Sequence, residues 1–528
     1  AITEADLRRH IEILASDEFE GRAPASPGGE LTTQYLVSYL KEVGLAPAPN
    51  GKYRQNVTLV EMTPAPGADL KVKGPAGSLS FSYFNDVMLW TKRVTETAAI
   101  ENSEIVFVGY GVHAPEYDWN DYEGVDVRGK TVLMLVNDPG FATRDPALFA
   151  GKTMTYYGRW TYKFEEAARQ GAAGAIIIHE DEPASYPWDV VSAGWSGPQY
   201  DLERPDRNAS RTAIEGWVTA RAGREILALG GKNLKDLKAR AAKRGFRAQA
   251  LGVTASGAVS NKIRTSQSAN IMGIVPGSEA PDEVVIFMAH WDHLGRGPAI
   301  NGDEIYNGAK DNASGVAGIL ELIEAFQKAP TPPKRTVAFL AVTAEESGLL
   351  GSAHYAENPI FPAAKTVAAI NLDGLNIIGP TREIVLVGHG KTTIEDILQE
   401  KLTAQGRRLD PEPLPERGYF YRSDHFSLAK VGIPVLYPGA GIDARERGRA
   451  WGLEQVTQFT QNHYHKPSDE YSPDWDLSGA VEDLQVIYEV GRAIADSASW
   501  PEWKPGAEFK AAREKSLSVG PQAKHEGE

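Results

Sequence analysis

The sequence predicts an α/β protein: a mainly parallel mixed sheet flanked by helices, with a β-rich α/β module inserted into it. Three observations predict this. Short apolar runs at 284–289, 337–342, 367–372, 384–387 and 433–436 are too brief for helical cores and read as buried strands. Helical patterns lie between them, near 349–356, 393–405 and 425–430, and such alternation builds a mainly parallel sheet covered by helices. Length is the third observation. At 528 residues the chain exceeds one ordinary core, so two folded units, or one enlarged by an insertion, are expected.

Taken in order, Leu7, Ile11 and Leu14 stand at helical spacing, and 32–43 carries a second helix closed by Gly44. Between them lies S-D-E-F-E-G-R-A-P-A-S-P-G-G, a Gly- and Pro-rich loop that reads as a surface connector, with a substrate-facing flap as its alternative. From Pro64 the texture changes to short strands at 104–108, 131–136 and 175–178, with a helix over 162–169 ended by Gly171. Helices at 222–229 and 234–243 and strands at 248–259 and 271–275 lead back to the apolar run at 284–289. A last long helix covers 479–495. The expected organisation is therefore 1–65 as the first part of the main domain, 66–255 as the insertion, 256–500 as the main domain, and 501–528 as a polar tail. The final twenty or so residues of that tail are expected to be poorly ordered.

Charge and composition exclude several function classes. With 55 basic and 70 acidic residues the formal charge is -15, which repels phosphate backbones and anionic membranes, so neither nucleic acid nor a membrane is expected as a partner. There are no cysteines, so any metal is held by His and carboxylate rather than thiolate. No apolar run approaches the roughly 18 to 20 residues needed to span a bilayer. The start at Ala1 fits a mature product after signal-peptide removal, and a secreted or periplasmic location is expected. Nothing in the sequence sets the oligomeric state.

Three strands end in metal-ligand chemistry: V-V-I-F-M-A-His290, V-A-F-L-A-V-T-A-Glu345-Glu346 and V-A-A-I-N-L-Asp373. In an open α/β sheet such ends converge on one edge, where ligands bind. Asp311 follows in the loop after the first of these strands, and His465 lies in N-H-Y-H-K-P-S-D-E-Y before the last helix. Two histidines with Asp, Asp and Glu form a nitrogen and oxygen set suited to a pair of zinc ions, and cobalt or manganese accept the same ligands.

Together A-H-W-D-H, N-G-A-K-D-N-A-S-G, A-E-E-S-G-L-L-G-S, N-L-D-G, R-S-D-H-F-S-L-A-K-V-G-I-P and Y-H-K-P-S-D span about 180 residues. In this order they resemble the di-zinc exopeptidase family of bacterial secreted aminopeptidases, glutamate carboxypeptidase II and the transferrin receptor ectodomain. The stretch from V-D-V-R-G-K-T-V-L-M-L-V to A-G-A-I-I-I-H is similar to the protease-associated domain inserted in many exopeptidases.

The resemblance implies that His290 binds one zinc and His465 the other, that Asp311 bridges both, and that Glu346 and Asp373 complete one site each. It implies Asp292 as the residue that orients the His290 imidazole, and Glu345 as the general base of a bridging-water mechanism. Tyr464 is either an oxyanion donor or a pocket wall. His425 is expected to pack beside the substrate pocket, Trp291 to form wall, and His293, His354, His389 and His463 to be ordinary surface or packing histidines. Peptides are the implied substrates. Removal of N-terminal residues is the leading expectation, with a carboxypeptidase or dipeptidase as the alternative and a non-catalytic binding ectodomain below both. An acidic residue anchors an amine and Arg anchors a carboxylate; P-E-R-G-Y-F-Y-R-S-D-H offers Glu416 alongside Arg417 and Arg422, which supports either.

Overall fold

The structure is a computed structural model and describes residues 2–519. The chain forms two compact units: one from residues 1–58, 267–413 and 422–528, the other from 59–266 with the short segment 414–421.

The first unit is built on a mixed sheet. Its strands are β1 (Ala46–Pro47), β2 (Gln249–Val275, whose last residues lie here), β3 (Ala280–His290), β4 (Arg335–Val342), β5 (Thr366–Asn371), β6 (Glu383–Val387), β7 (Arg408–Pro411) and β8 (Val435–Gly439). Across the sheet the order is β1-β2-β4-β3-β5-β8-β6-β7, and β4, β3, β5 and β8 run parallel to their neighbours within that group. Every residue from Val284 to His290 is buried, as a central strand covered on both faces requires. Side chains alternate along it. Val285, Phe287 and Ala289 join the core that holds Leu7, Ile11, Phe326 and Leu484 from helices α1 (Glu4–Leu14), α3 (Gly315–Gln327) and α5 (Ser478–Asp496).

Four local features differ from the sequence reading. Helix α2 runs over Pro27–Glu42, five residues earlier than the periodicity shows, because Ser26 caps it and Pro27 takes the first helical turn, where its missing N–H costs nothing. The pieces at 248–259 and 271–275 are one strand, β2; its middle is polar and lacks the apolar signal. Helix α4 (Gly448–Asn462) has no apolar periodicity, and Gly452 is its one buried residue. The tail is not poorly ordered over its described length. Trp503 and Phe509 are buried, Lys510–Ser518 is helical (α6), and Arg513 donates to the carbonyls of Ala363 and Thr366. Residues 520–528 lie outside the described residues.

The second unit has its own sheet. Thr97–Phe107, Thr131–Leu135, Gly174–His179 and Ile214–Thr219 pair in parallel, and antiparallel strands extend both sides. Its core gathers Phe107, Leu133, Ile176, Val218 and Ile226. Segment 414–421 is held here by Met154, whose N–H donates to Pro415 and whose carbonyl accepts from Tyr421 Oη at 3.3 Å.

Candidate metal centre

β4 and β5 flank β3 in parallel, with Val342 opposite His290 and Asn371 opposite Met288. Three strands thus end together, and Glu345, Glu346 and Asp373 follow two of those ends within a few residues. Asp311 sits in the irregular turn that precedes α3, next to a cis peptide bond with Asn312.

Asp311 is the centre of the arrangement. Its Oδ1 lies 3.3 Å from His290 Nε2, and its Oδ2 lies 3.1 Å from His465 Nε2. His290 Nε2 is also 3.3 Å from Asp373 Oδ1, and His465 Nε2 is 3.1 Å from Glu346 Oε2. Two triads therefore share one carboxylate through different oxygens: His290–Asp311–Asp373 and His465–Asp311–Glu346. Glu345 Oε2 lies 3.8 Å from His290 Nε2. Four carboxylates around two imidazoles, with His465 the most exposed of the six, form the oxygen and nitrogen donor set that divalent zinc accepts, and the donors of His290, Asp311 and Glu346 lie within 4.8 Å of one another.

The protonation behaviour follows from this crowding. Burial, with Glu346 and Asp373 nearby, pushes the Glu345 carboxyl well above the usual carboxylate range despite His290. Burial opposes charge on His465, yet its hydrogen bonds to Asp311 and Glu346 prevail and raise it to about 10. Asp311 is held well below its ordinary value by the two imidazoles, against the effect of burial.

The supporting residues are only partly those expected. Asp292 is fully buried, but its carboxylate accepts from the backbone N–H of Glu345 at 3.1 Å and of Glu346 at 3.3 Å. His290 Nδ1 is nearer the Asp292 carbonyl, at 3.1 Å, than its carboxylate, at 3.6 Å. Asp292 thus fixes the Glu345-Glu346 turn, where Ala344 takes φ +53, while its backbone sets the His290 ring.

His293 is not an ordinary surface or packing histidine. It is buried, and Nδ1 lies 2.8 Å from Glu346 Oε1. Gly308, at φ +57, makes room for its ring: a Cβ there would stand 2.4 Å from His293 Cγ. Trp291 packs in the core rather than forming a wall, with Nε1 donating to the Ala269 carbonyl.

Three further residues escaped the sequence reading. Ser423 Oγ donates to Asp373 Oδ2 at 2.5 Å and accepts from Asn371 Nδ2 at 2.8 Å. Asn312 Nδ2 donates to the Leu372 carbonyl, and its Oδ1 accepts from Gly374 N–H, which joins the Asp311 turn to the Asp373 loop. Asp469 accepts from the N–H groups of Lys310 and Asp311. The motif strings R-S-D-H, K-D-N and K-P-S-D contained all three, but polar residues in loops carry no periodic signal.

The expected substrate residues divide between the two units. His425 is buried, with Nδ1 3.2 Å from Asn371 Nδ2 and its ring against Tyr437. Arg422 is exposed beside Ser423. Glu416 and Arg417 fall in the second unit, where Glu416 pairs with Lys152 at 2.9 Å. Tyr464 is 42% exposed and its ring stacks on His465 at 3.9 Å.

Comparison with known proteins places this geometry. Residues 270–488, which hold every member of both triads, match the model of peptidase family M28. The chain is similar to leupeptin-inactivating enzyme 1 of Streptomyces exfoliatus, at 29% identity over 204 residues, 38% of this chain and 42% of that protein. It is also similar to the probable lipoprotein aminopeptidase LpqL of Mycobacterium tuberculosis, at 29% over 238 residues, 42% of this chain and 44% of that protein. The chain thus spans less than half the length of these curated relatives. A solved aminopeptidase from Aneurinibacillus sp. strain AM-1 aligns over 96% of this chain and 95% of that one, with 19% identity and a TM-score of 0.49. Among the described residues no helix is long and apolar enough to cross a membrane.

Proposed function

We propose that the chain is a zinc-dependent exopeptidase that releases N-terminal residues from peptides, with His290, Asp311 and Asp373 holding one ion and His465, Asp311 and Glu346 the other. The observation that carries this reading is the Asp311 carboxylate, which turns one oxygen to each histidine at 3.3 and 3.1 Å. Two ions held by these side chains would supply Lewis acidity to the scissile carbonyl and to the attacking water. Glu345 takes the proton from that water and passes it to the leaving amine. Asp292 holds the backbone of Glu345 and Glu346 so that base and ligand point apart. Tyr464, part-exposed with its ring stacked on His465, would donate to the developing oxyanion or form pocket wall.

A carboxypeptidase or dipeptidase with the same chemistry is the second reading. Its candidate carboxylate anchor is Arg422, one residue before the serine that bonds Asp373, because a guanidinium pairs with a carboxylate. One peptide set separates the two: N-terminus free or acetylated, C-terminus free or amidated, with and without chelator, and the released residue identified by mass. Acetylation abolishing a chelator-sensitive release of the first residue supports the aminopeptidase. Sensitivity to amidation instead overturns it in favour of the carboxypeptidase, and dependence on both free ends means a dipeptidase. A chain that binds zinc but cleaves no member would be a binding protein on this fold.

A further inference from the structure

The loop between α1 and α2 is charged and rich in Gly and Pro, yet its Arg22 is among the most deeply buried side chains of the first unit, at 1% exposure. Arg22 itself takes φ +50, and the preceding Gly21, at φ +71, lies so close to the strand pair 295–306 that a Cβ would meet the Tyr306 carbonyl at 2.5 Å. The loop is thus folded inward around this residue.

The guanidinium makes four hydrogen bonds, all to backbone carbonyls. Nε donates to Trp291 at 2.9 Å, Nη1 to Leu14 at 2.7 Å and Asn307 at 2.6 Å, and Nη2 to Gly308 at 2.8 Å. The Arg22 carbonyl accepts from His293 N–H at 3.2 Å. Trp291 lies between His290 and Asp292. Gly308 lies three residues before Asp311 and beneath the His293 ring that bonds Glu346. One planar fork therefore binds the loop that supplies His290, Asp292 and His293 to the loop that supplies Asp311.

We infer that Arg22 is a positioning residue of the metal centre: it sets the spacing between the His290–His293 loop and the Asp311 loop, and so the placement of His290 against the carboxylate both ions share. This rests on the two-ion reading above. Burial lowers the Arg22 pKa to about 10 against the opposing charges of Asp469, Asp292, Asp311 and Glu346, so the group stays cationic at neutral pH. Lysine keeps the charge but offers three N–H donors on a single nitrogen, so it cannot reproduce the four bonds that the three guanidinium nitrogens make.

The test is zinc affinity and stoichiometry of the full chain, measured by competition with a chromophoric chelator, for wild type, Arg22→Lys and Arg22→Met. Circular dichroism and a thermal melt of each metal-free protein establish that it is folded. Residues that orient metal ligands typically contribute about 10- to 100-fold to affinity, and a loss of that size is expected in folded Arg22→Met, with Arg22→Lys recovering less than half of it on a logarithmic scale. If Arg22→Met fails to fold, Arg22→Lys decides alone: folded with zinc binding weakened about tenfold or more supports the assignment. A folded variant of either kind that binds zinc as wild type does overturns it, as does full recovery by lysine, which would reduce the role to charge. A wild-type chain that binds no zinc would instead overturn the two-ion reading itself.

Discussion

Replacing His293 by phenylalanine isolates a contact that the fold builds with some care. The imidazole is fully buried, lies 2.8 Å from Glu346 Oε1 through Nδ1, and occupies space that Gly308 leaves open. Glu346 Oε2 has His465 at 3.1 Å, so with phenylalanine the carboxylate keeps its metal-side partner and loses the group that fixes its rotation. Phenylalanine fills similar space, which keeps cavity formation small. Loss of such an orienting bond typically costs about 10- to 100-fold in metal affinity, or about 1.4 to 2.8 kcal/mol at about 1.4 kcal/mol per tenfold. That agrees with about 1.5 to 3 kcal/mol for a hydrogen bond to a charged group. The assay is a zinc competition titration of the metal-free chain, with a thermal melt to verify folding. His293→Gln, which keeps a donor, is expected to lose about tenfold or less. A folded His293→Phe chain with wild-type zinc affinity would refute the argument that this bond orients Glu346.

Two further outcomes are expected. Ser423→Ala removes the 2.5 Å bond to Asp373 and the acceptor for Asn371, and should weaken zinc binding by about 10- to 100-fold in a metal-free protein that a melt shows to be folded; unchanged zinc binding would exclude that role. His10 gives a pH dependence away from the centre. Burial between Tyr35 and Tyr39 lowers its pKa from 6.5 to about 4, so the folded state favours the neutral ring. The resulting stability is fully present above about pH 6.5 and is lost as pH falls through about 4. At about 1.36 kcal/mol per unit the difference is about 3 kcal/mol. Urea unfolding at pH 7.5 and pH 4 should show His10→Gln losing less stability on acidification than wild type by that amount, whereas parallel losses would contradict it.

The central sheet was legible because its strands are fully buried: Val284–His290 and Arg335–Val342 have no exposed residue, and a continuous apolar run is then the expected pattern. The ligand positions were legible for a related reason, since strand ends fix where the next side chains go. Helix α4 was not, because a helix with one buried residue has no stripe to find. His293 and Arg22 were missed on different grounds. A histidine one residue after Asp292 and an arginine in a glycine-rich loop look solvated in sequence, and their burial depends on Gly308 and Gly21 leaving space from distant segments. Ser423, Asn312 and Asp469 bond across loops separated by 50 to 158 positions in the chain, a relation no local window contains. The polar tail was misread because Trp503 and Phe509 bury individually, without the run that marks a core segment.

The most direct measurement on the central claim joins metal content to turnover in Glu345→Gln. Glu345 is 3.8 Å from His290 Nε2, within the cluster but outside both triads that share Asp311. The account predicts two zinc ions per chain in wild type and in the variant, with peptide hydrolysis reduced by at least about 100-fold, the lower end for loss of a general base. A variant that keeps near-normal turnover would contradict the assignment of Glu345 as the base, and a wild-type chain that binds fewer than two ions would contradict the assignment of Asp311 as the shared ligand.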